Sequence, residues 1–173
     1  CLLVEEDLDE CEFGTKHLGK HIKYYHMDNM QFIKNELPNI KDDLTYVDFD
    51  AFGITSYAIK SFFDNYNIIK PVVIGLTDGY ASHIHRYYLD KAKLYDDVIT
   101  HGYPVIERER MSANIFWIHT IKRLIEEQCT KHGLEYRHIN SSMGHGINAG
   151  AIRMGGKNTV YTGHIIGKHL VNE

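Results

Sequence analysis

Along this chain, apolar runs of strand length alternate with stretches in which apolar residues recur every three or four positions. That alternation predicts parallel strands joined by covering helices. Leu2 to Val4 is the first run, and it stops at Glu5, Glu6 and Asp7. Asp9 to His21 reads as a mainly polar helix with Gly19 near its end. Ile22 to Met27, rich in β-branched and aromatic residues, is a second strand. Met30, Phe32, Ile33 and Leu37 fit a short helix that stops at Pro38, whose ring cannot continue it. Leu44 to Phe49 is a third strand that closes on Asp48 and Asp50. Tyr57, Ile59, Phe62 and Phe63 follow at helical spacing. Val72-Val73-Ile74-Gly75-Leu76 is the strongest buried-strand signal, opened by Pro71 and closed by the turn residues Thr77-Asp78-Gly79.

Residues 80 to 112 are rich in Tyr, His and charge without a clear period, and read as an insert or lid. Ile115, Ile118, Ile121, Leu124 and Ile125 then mark an amphipathic helix to Cys129, with Gly133 at its end. Leu134 to Ile139 and Ile147 to Met154 read as two strands around a glycine-containing turn. Gly155 to Asn158 is a further turn before Thr159 to Leu170. The predicted architecture is α/β: a Rossmann-like, mostly parallel sheet with helices on both faces and a C-terminal antiparallel hairpin. No repeat, linker or low-complexity tract divides the chain, so residues 1 to 173 read as one domain. Because Cys1 already sits in a strand-like run, the first strand of that domain is expected to lie before it.

Composition narrows the function classes. Hydrophobic residues are 43% of the chain and charged residues 24%, an ordinary soluble mixture. No apolar run approaches the ~20 residues of a membrane span. A net charge of −4 carries no broad electrostatic invitation to a polyanion. Three cysteines with no CxxC pair suit a reduced, cytoplasmic setting.

In an open parallel sheet, ligands bind beyond the carboxyl ends of the strands. Three strands end in acids: Glu5, Asp28, and the pair Asp48 and Asp50. A carboxylate there accepts hydrogen bonds from ribose hydroxyls, from an adenine amino group, or from a nucleophilic amine. Read one at a time, the same acids are equally solvated loop residues or helix N-caps.

The run from Cys1 to Gly53 resembles the cofactor-binding half of class I S-adenosylmethionine (SAM)-dependent methyltransferases, entered at their second strand. CLLVEED is similar to the strand bearing the ribose-binding acid, which implies that role for Glu5. KYYHMDNMQFI is similar to the third strand, implying Asp28 and the adjacent Asn29 on the adenine side. YVDFDAFG resembles the fourth-strand motif of tRNA guanine-N2 methyltransferases, with Ala51 where that motif has proline. The match implies Asp50, with Asp48, as catalytic, and Phe52 and Gly53 at the acceptor base. More weakly, PVVIGLTDG looks like the fifth strand, and LEYRHI with NAGAIRM like the terminal hairpin. The resemblance implies SAM as cofactor and methyl transfer to a nitrogen of RNA or another nucleic acid. The family's glycine-rich loop would lie before Cys1. A nicotinamide-dependent oxidoreductase also places an acid after its second strand, and a non-catalytic methyltransferase-like scaffold is the third reading.

Other signals point to structure. Twelve histidines include His17 and His21 at i, i+4 and His83 with His85, but without the Cys or carboxylate ligands zinc requires, so no metal is predicted. Gly155-Gly156-Lys157-Asn158 fails the phosphate-loop pattern, since Ala151 replaces its first glycine and Asn158 its hydroxyl residue. Cys11 and Cys129 read as small buried helix residues. Tyr80, Tyr87, Tyr88, Tyr95 and Tyr103 read as core in preference to base-stacking residues. Glu107 to Arg110 is a solvated helix face.

Overall fold

The computed structural model describes residues 2–17, 22–41, 43–51, 55–78, 100, 102–104, 113–145 and 158–170. The protein is α/β. Its elements run β1 (Leu2–Glu5), α1 (Leu8–His17), β2 (Lys23–His26), α2 (Asn29–Asn35), a 3-10 turn (Leu37–Asn39), β3 (Tyr46–Ala51), α3 (Ser56–Asn65), β4 (Val72–Asp78), α4 (Ala113–Lys131), β5 (Glu135–His145) and β6 (Asn158–Gly167). They form two compact units, residues 1–42 with 60–67, and residues 43–59 with 68–173.

In the first unit β1 and β2 pair in parallel, with Leu2 opposite Lys23 and Glu5 opposite His26. Helix α1 opens on Asp7, whose Oδ1 accepts the backbone N–H groups of Asp9 and Glu10, satisfying donors that a helix start leaves orphaned. Gly14 sits inside α1 because Tyr24 comes close: a methyl group there would lie 2.5 Å from the Tyr24 ring. Tyr25 of β2 packs edge-on against Phe32 of α2, with ring centroids 4.7 Å apart.

In the second unit the strand order is β3-β4-β6-β5. β3 and β4 are parallel, whereas β6 runs antiparallel to both β4 and β5. The sheet is therefore mixed, where a mostly parallel one was expected. Alternation along β4 buries Val72, Ile74 and Leu76 on one face. Helix α4 lies against β5 and β6. Its buried stripe is Trp117, Thr120, Ile121, Leu124, Ile125 and Gln128, the spacing of one helix face. Ile118 is only half-buried, because Trp117 sets the phase of the stripe. Tyr103 packs edge-on against Trp117 at 4.8 Å between ring centroids, a core position as its sequence suggested; the four other tyrosines of that group lie outside the described residues. Each fully buried Leu or Ile of this stripe contributes about 1.5–3 kcal/mol.

Gly133 ends α4 at φ 64°, the left-handed conformation that glycine adopts without steric cost. The turn closes through Leu134 N–H to the Cys129 carbonyl at 2.8 Å. The hairpin that follows differs from the sequence reading. β5 continues past Ile139 to His145, and its partner is Asn158–Gly167. The segment Ile147 to Met154, expected as that partner, lies outside the described residues, as do residues 80–99 of the expected insert and the Gly155–Lys157 turn.

Candidate functional site

The carboxyl edge of the β1–β2 pair is built from acids. β1 ends at Glu5, and the Met27 N–H donates to the Glu5 carbonyl at 3.0 Å, so the first residue beyond β2 is hydrogen-bonded to the last residue of β1. Asp28 follows at once. It is the N-cap of α2, its Oδ1 accepting from Met30 N–H at 2.9 Å and Gln31 N–H at 3.0 Å. The N-cap reading of this acid is thus correct, and it leaves the carboxylate fixed in position at a positive helix end. Asn29 is the first residue of the helix and is exposed. Glu5 is half-buried, and its Oε1 accepts the Asp7 N–H at 2.9 Å. Among the described residues Oε2 of Glu5 and Oδ2 of Asp28 take no protein donor. One edge therefore presents two oriented carboxylate oxygens to hydroxyl or amine donors. Asp7, the cap of α1, completes this acidic rim; its place immediately before a helical stretch was the available sequence signal.

Asp48 and Asp50 belong to the second unit. β3 runs on to Ala51, so both acids lie within the strand and not beyond its end. With Phe49 buried between them, alternation puts Tyr46, Asp48 and Asp50 on the opposite, exposed face. Across to β4, Asp48 stands opposite Gly75 and Asp50 opposite Thr77. The Tyr46 hydroxyl donates to Asp48, and partial burial together with Asp48 raises the phenol pKa above its ordinary value. Asp48 is thus engaged by its neighbour, while Asp50 stands at the carboxyl end of the strand. Phe52 and Gly53 lie outside the described residues.

The sheet's other face holds a polar cluster that the sequence did not reveal. His164 on β6 is fully buried. Its Nε2 lies 2.9 Å from Thr162 Oγ1 and its Nδ1 3.2 Å from the Tyr136 hydroxyl. A neutral imidazole has one donor and one acceptor, so one hydroxyl donates to it and the other accepts. His138, with its ring centroid 5.2 Å from that of His164, bonds Ser141 Oγ through Nε2 at 2.9 Å. Burial, then His138 and Lys122, lower the His164 pKa to about 3, and burial and Lys122 lower that of His138. Burial raises the Tyr136 phenol as well. These groups are held neutral, which suits a structural network.

Cys11 and Cys129 are buried free thiols. Burial and Glu126 push Cys129 up to about 12, so it carries no thiolate. Among the described residues no three His, Cys, Asp or Glu side chains are placed to hold a metal ion, and no helix is long and apolar enough to cross a membrane. No protein-family model and no curated protein matches this chain.

Proposed function

We propose that this chain is part of a Rossmann-like, SAM-dependent methyltransferase that acts on a nitrogen of RNA or another nucleic acid. The observation that carries the reading is the acidic edge of the β1–β2 pair, where Glu5 ends one strand and Asp28 follows the next. Nucleoside cofactors are held at such an edge in open α/β sheets. Two of the strand pairings support the reading, while β4 has the antiparallel β6 on its other side. A doubly wound sheet has the order 3-2-1-4-5-6. With β1 counted as the second strand, that order pairs strand two with three and four with five in parallel, as β1 pairs with β2 and β3 with β4.

The carboxylates fit a nucleoside. Glu5 Oε2 is available to a ribose diol, and Asp28 Oδ2, with Asn29 beside it, to an adenine amino group. When bound, SAM supplies an electrophilic methyl group. Asp50 serves the acceptor: it accepts hydrogen bonds from the amine and stabilises the positive charge that develops on nitrogen as the new bond forms. Alignment of acceptor and donor accounts for most of the remaining acceleration.

Thermal-shift and calorimetric titrations of the intact protein with S-adenosylhomocysteine and with NAD test this, because a ligand stabilises the native state it binds. The expected result is stabilisation by S-adenosylhomocysteine alone, lost in Glu5→Ala. Stabilisation by NAD alone transfers the edge to nicotinamide chemistry, and a response to neither leaves a scaffold.

A further inference from the structure

The geometry points to His26 as a positioning residue of the nucleoside site: its imidazole clamps the β1–α1 loop to β2 and thereby fixes the Glu5 carboxylate. The inference rests on the cofactor reading for what binds at this edge, but the clamp itself is drawn from the first unit alone. Glu5 and His26 stand opposite each other in the parallel pair, so the two strands end side by side. Only Glu6 and Asp7 then separate β1 from α1. The Glu6 carbonyl lies past the end of the strand ladder and needs a donor of its own. His26 supplies it: Nε2 lies 3.1 Å from that oxygen, across 20 residues of sequence. A carbonyl only accepts, so Nε2 carries the proton.

Three bonds follow one another along the loop. The Glu5 carbonyl accepts from Met27 N–H at 3.0 Å, the Glu6 carbonyl from His26, and Glu5 Oε1 from Asp7 N–H at 2.9 Å. The first two tie the loop to β2; the third ties the Glu5 carboxylate to the loop. Asp28, two residues past His26, is held independently as the cap of α2. His26 therefore sets one carboxylate against the other. Its backbone belongs to the strand that leads to Asp28, and its ring grips the loop that carries Glu5. A free glutamate side chain loses rotamer freedom when it meets a ligand, and a site that has already ordered it avoids that cost. The fold has other means of holding this region: Asp7 caps α1 through Oδ1, the β1–β2 ladder runs from Leu2 to Glu5, and His26 is exposed. Losing one exposed hydrogen bond costs little stability. Affinity should therefore change at this residue where stability does not, and that separates positioning from support.

The test is calorimetric titration of the intact protein and its variants with S-adenosylhomocysteine, beside chemical denaturation of each. His26→Phe keeps a ring and removes the donor; it should weaken S-adenosylhomocysteine about fivefold, with the denaturation midpoint unchanged. His26→Gln, which still ends in an N–H donor, should bind within about twofold of the wild type. Adenosine should lose the same factor in His26→Phe, whereas 2′,3′-dideoxyadenosine, which has no hydroxyl for Glu5, should bind wild type and variant equally. Ring-nitrogen NMR shifts of His26 check the clamp with no ligand present: the neutral ring should carry its proton on Nε2, and averaged tautomers overturn the clamp. Unchanged affinity in His26→Phe overturns the positioning role, as does a loss that falls equally on adenosine and its dideoxy analogue. A midpoint that falls with the affinity, unrescued by His26→Gln, also overturns it. If NAD binds in place of S-adenosylhomocysteine and His26→Phe weakens it, the positioning role stands and the methyltransferase falls. A wild-type protein that binds neither ligand overturns both.

Discussion

The two faces of the β3-β4-β6-β5 sheet are made by the same strands and do opposite things. The covered face combines Ile74, Leu76 and Ile166 with a buried polar chain of Thr162, His164 and Tyr136, each polar atom used inside the protein. The exposed face combines Tyr46, Ile139 and Tyr161 with Asp48 and Asp50 around a glycine pair. On the covered face aromatic and polar groups are spent on uniqueness of packing; on the exposed face the same residue types remain available to a ligand. The lesson is that residue type does not separate function from structure here, whereas strand phase does.

Substitutions can sharpen that contrast, because covered-face changes should move stability and exposed-face changes should move binding or turnover. The largest effect is expected for Trp117→Ala, which empties a fully buried site beside Tyr103. Chemical denaturation should show a loss of about 3–5 kcal/mol, and a loss below about 1 kcal/mol breaks the assignment of α4 as the cover. Next is Asp50→Asn on the other face. Turnover should fall about a hundredfold or more, with the denaturation midpoint unchanged. Equal turnover in that variant removes Asp50 from the chemistry.

Acid tests the covered face directly. His164 is held neutral in the folded protein, its pKa brought by burial from about 6.5 to about 3, and burial lowers His138 also. The unfolded chain therefore binds more protons, and stability present above pH 6.5 is lost as the pH falls toward 3. His164→Phe keeps an aromatic ring but has no proton to gain. It should cost about 1–3 kcal/mol at neutral pH, by orphaning Thr162 and Tyr136, and it should flatten the decline on the acid side. An acid limb as steep as that of the wild type would show that other groups drive it. The smallest effect belongs to Gly163→Ala on the exposed face. Only the flexible tip of Asn140 needs to move, so stability should stay within about 0.5 kcal/mol.

Phase also explains how much of the fold could be read in advance. Val72 to Leu76 was legible because its run of β-branched and aliphatic residues is bounded by Pro71 and Thr77-Asp78-Gly79, and α4 because its apolar spacing is helical and Gly133 terminates it. β6 was not, since its covered positions include Thr162 and His164 whereas Tyr161 faces outward. Its hydrophobic alternation is thus inverted, and the apolar segment Ile147 to Met154 drew the hairpin assignment away from it. At the site, Glu5 and Asp28 were legible as acids following strand-like runs. The depth of Asp48 within β3 was not, because the strand end fell two residues later than Phe49. The hold on Tyr46 was beyond local pattern altogether: it depends on the cross-strand register that sets Asp48 opposite Gly75.

The irregularity in β5 between His138 and Asn140 has a consequence of its own. In an unbroken strand, residues three apart face opposite ways, yet His138 and Ser141 share a hydrogen bond because Ile139 is the extra residue of a bulge. The strand thus carries a phase correction at a single amino acid. Excising Ile139 would leave His138 inward, Asn140 outward and Ser141 inward, each opposite its present partner on β6, and most replacements of its half-exposed side chain would also leave the reading frame of the strand intact. At that position the protein should tolerate loss of the residue as well as changes of its spelling.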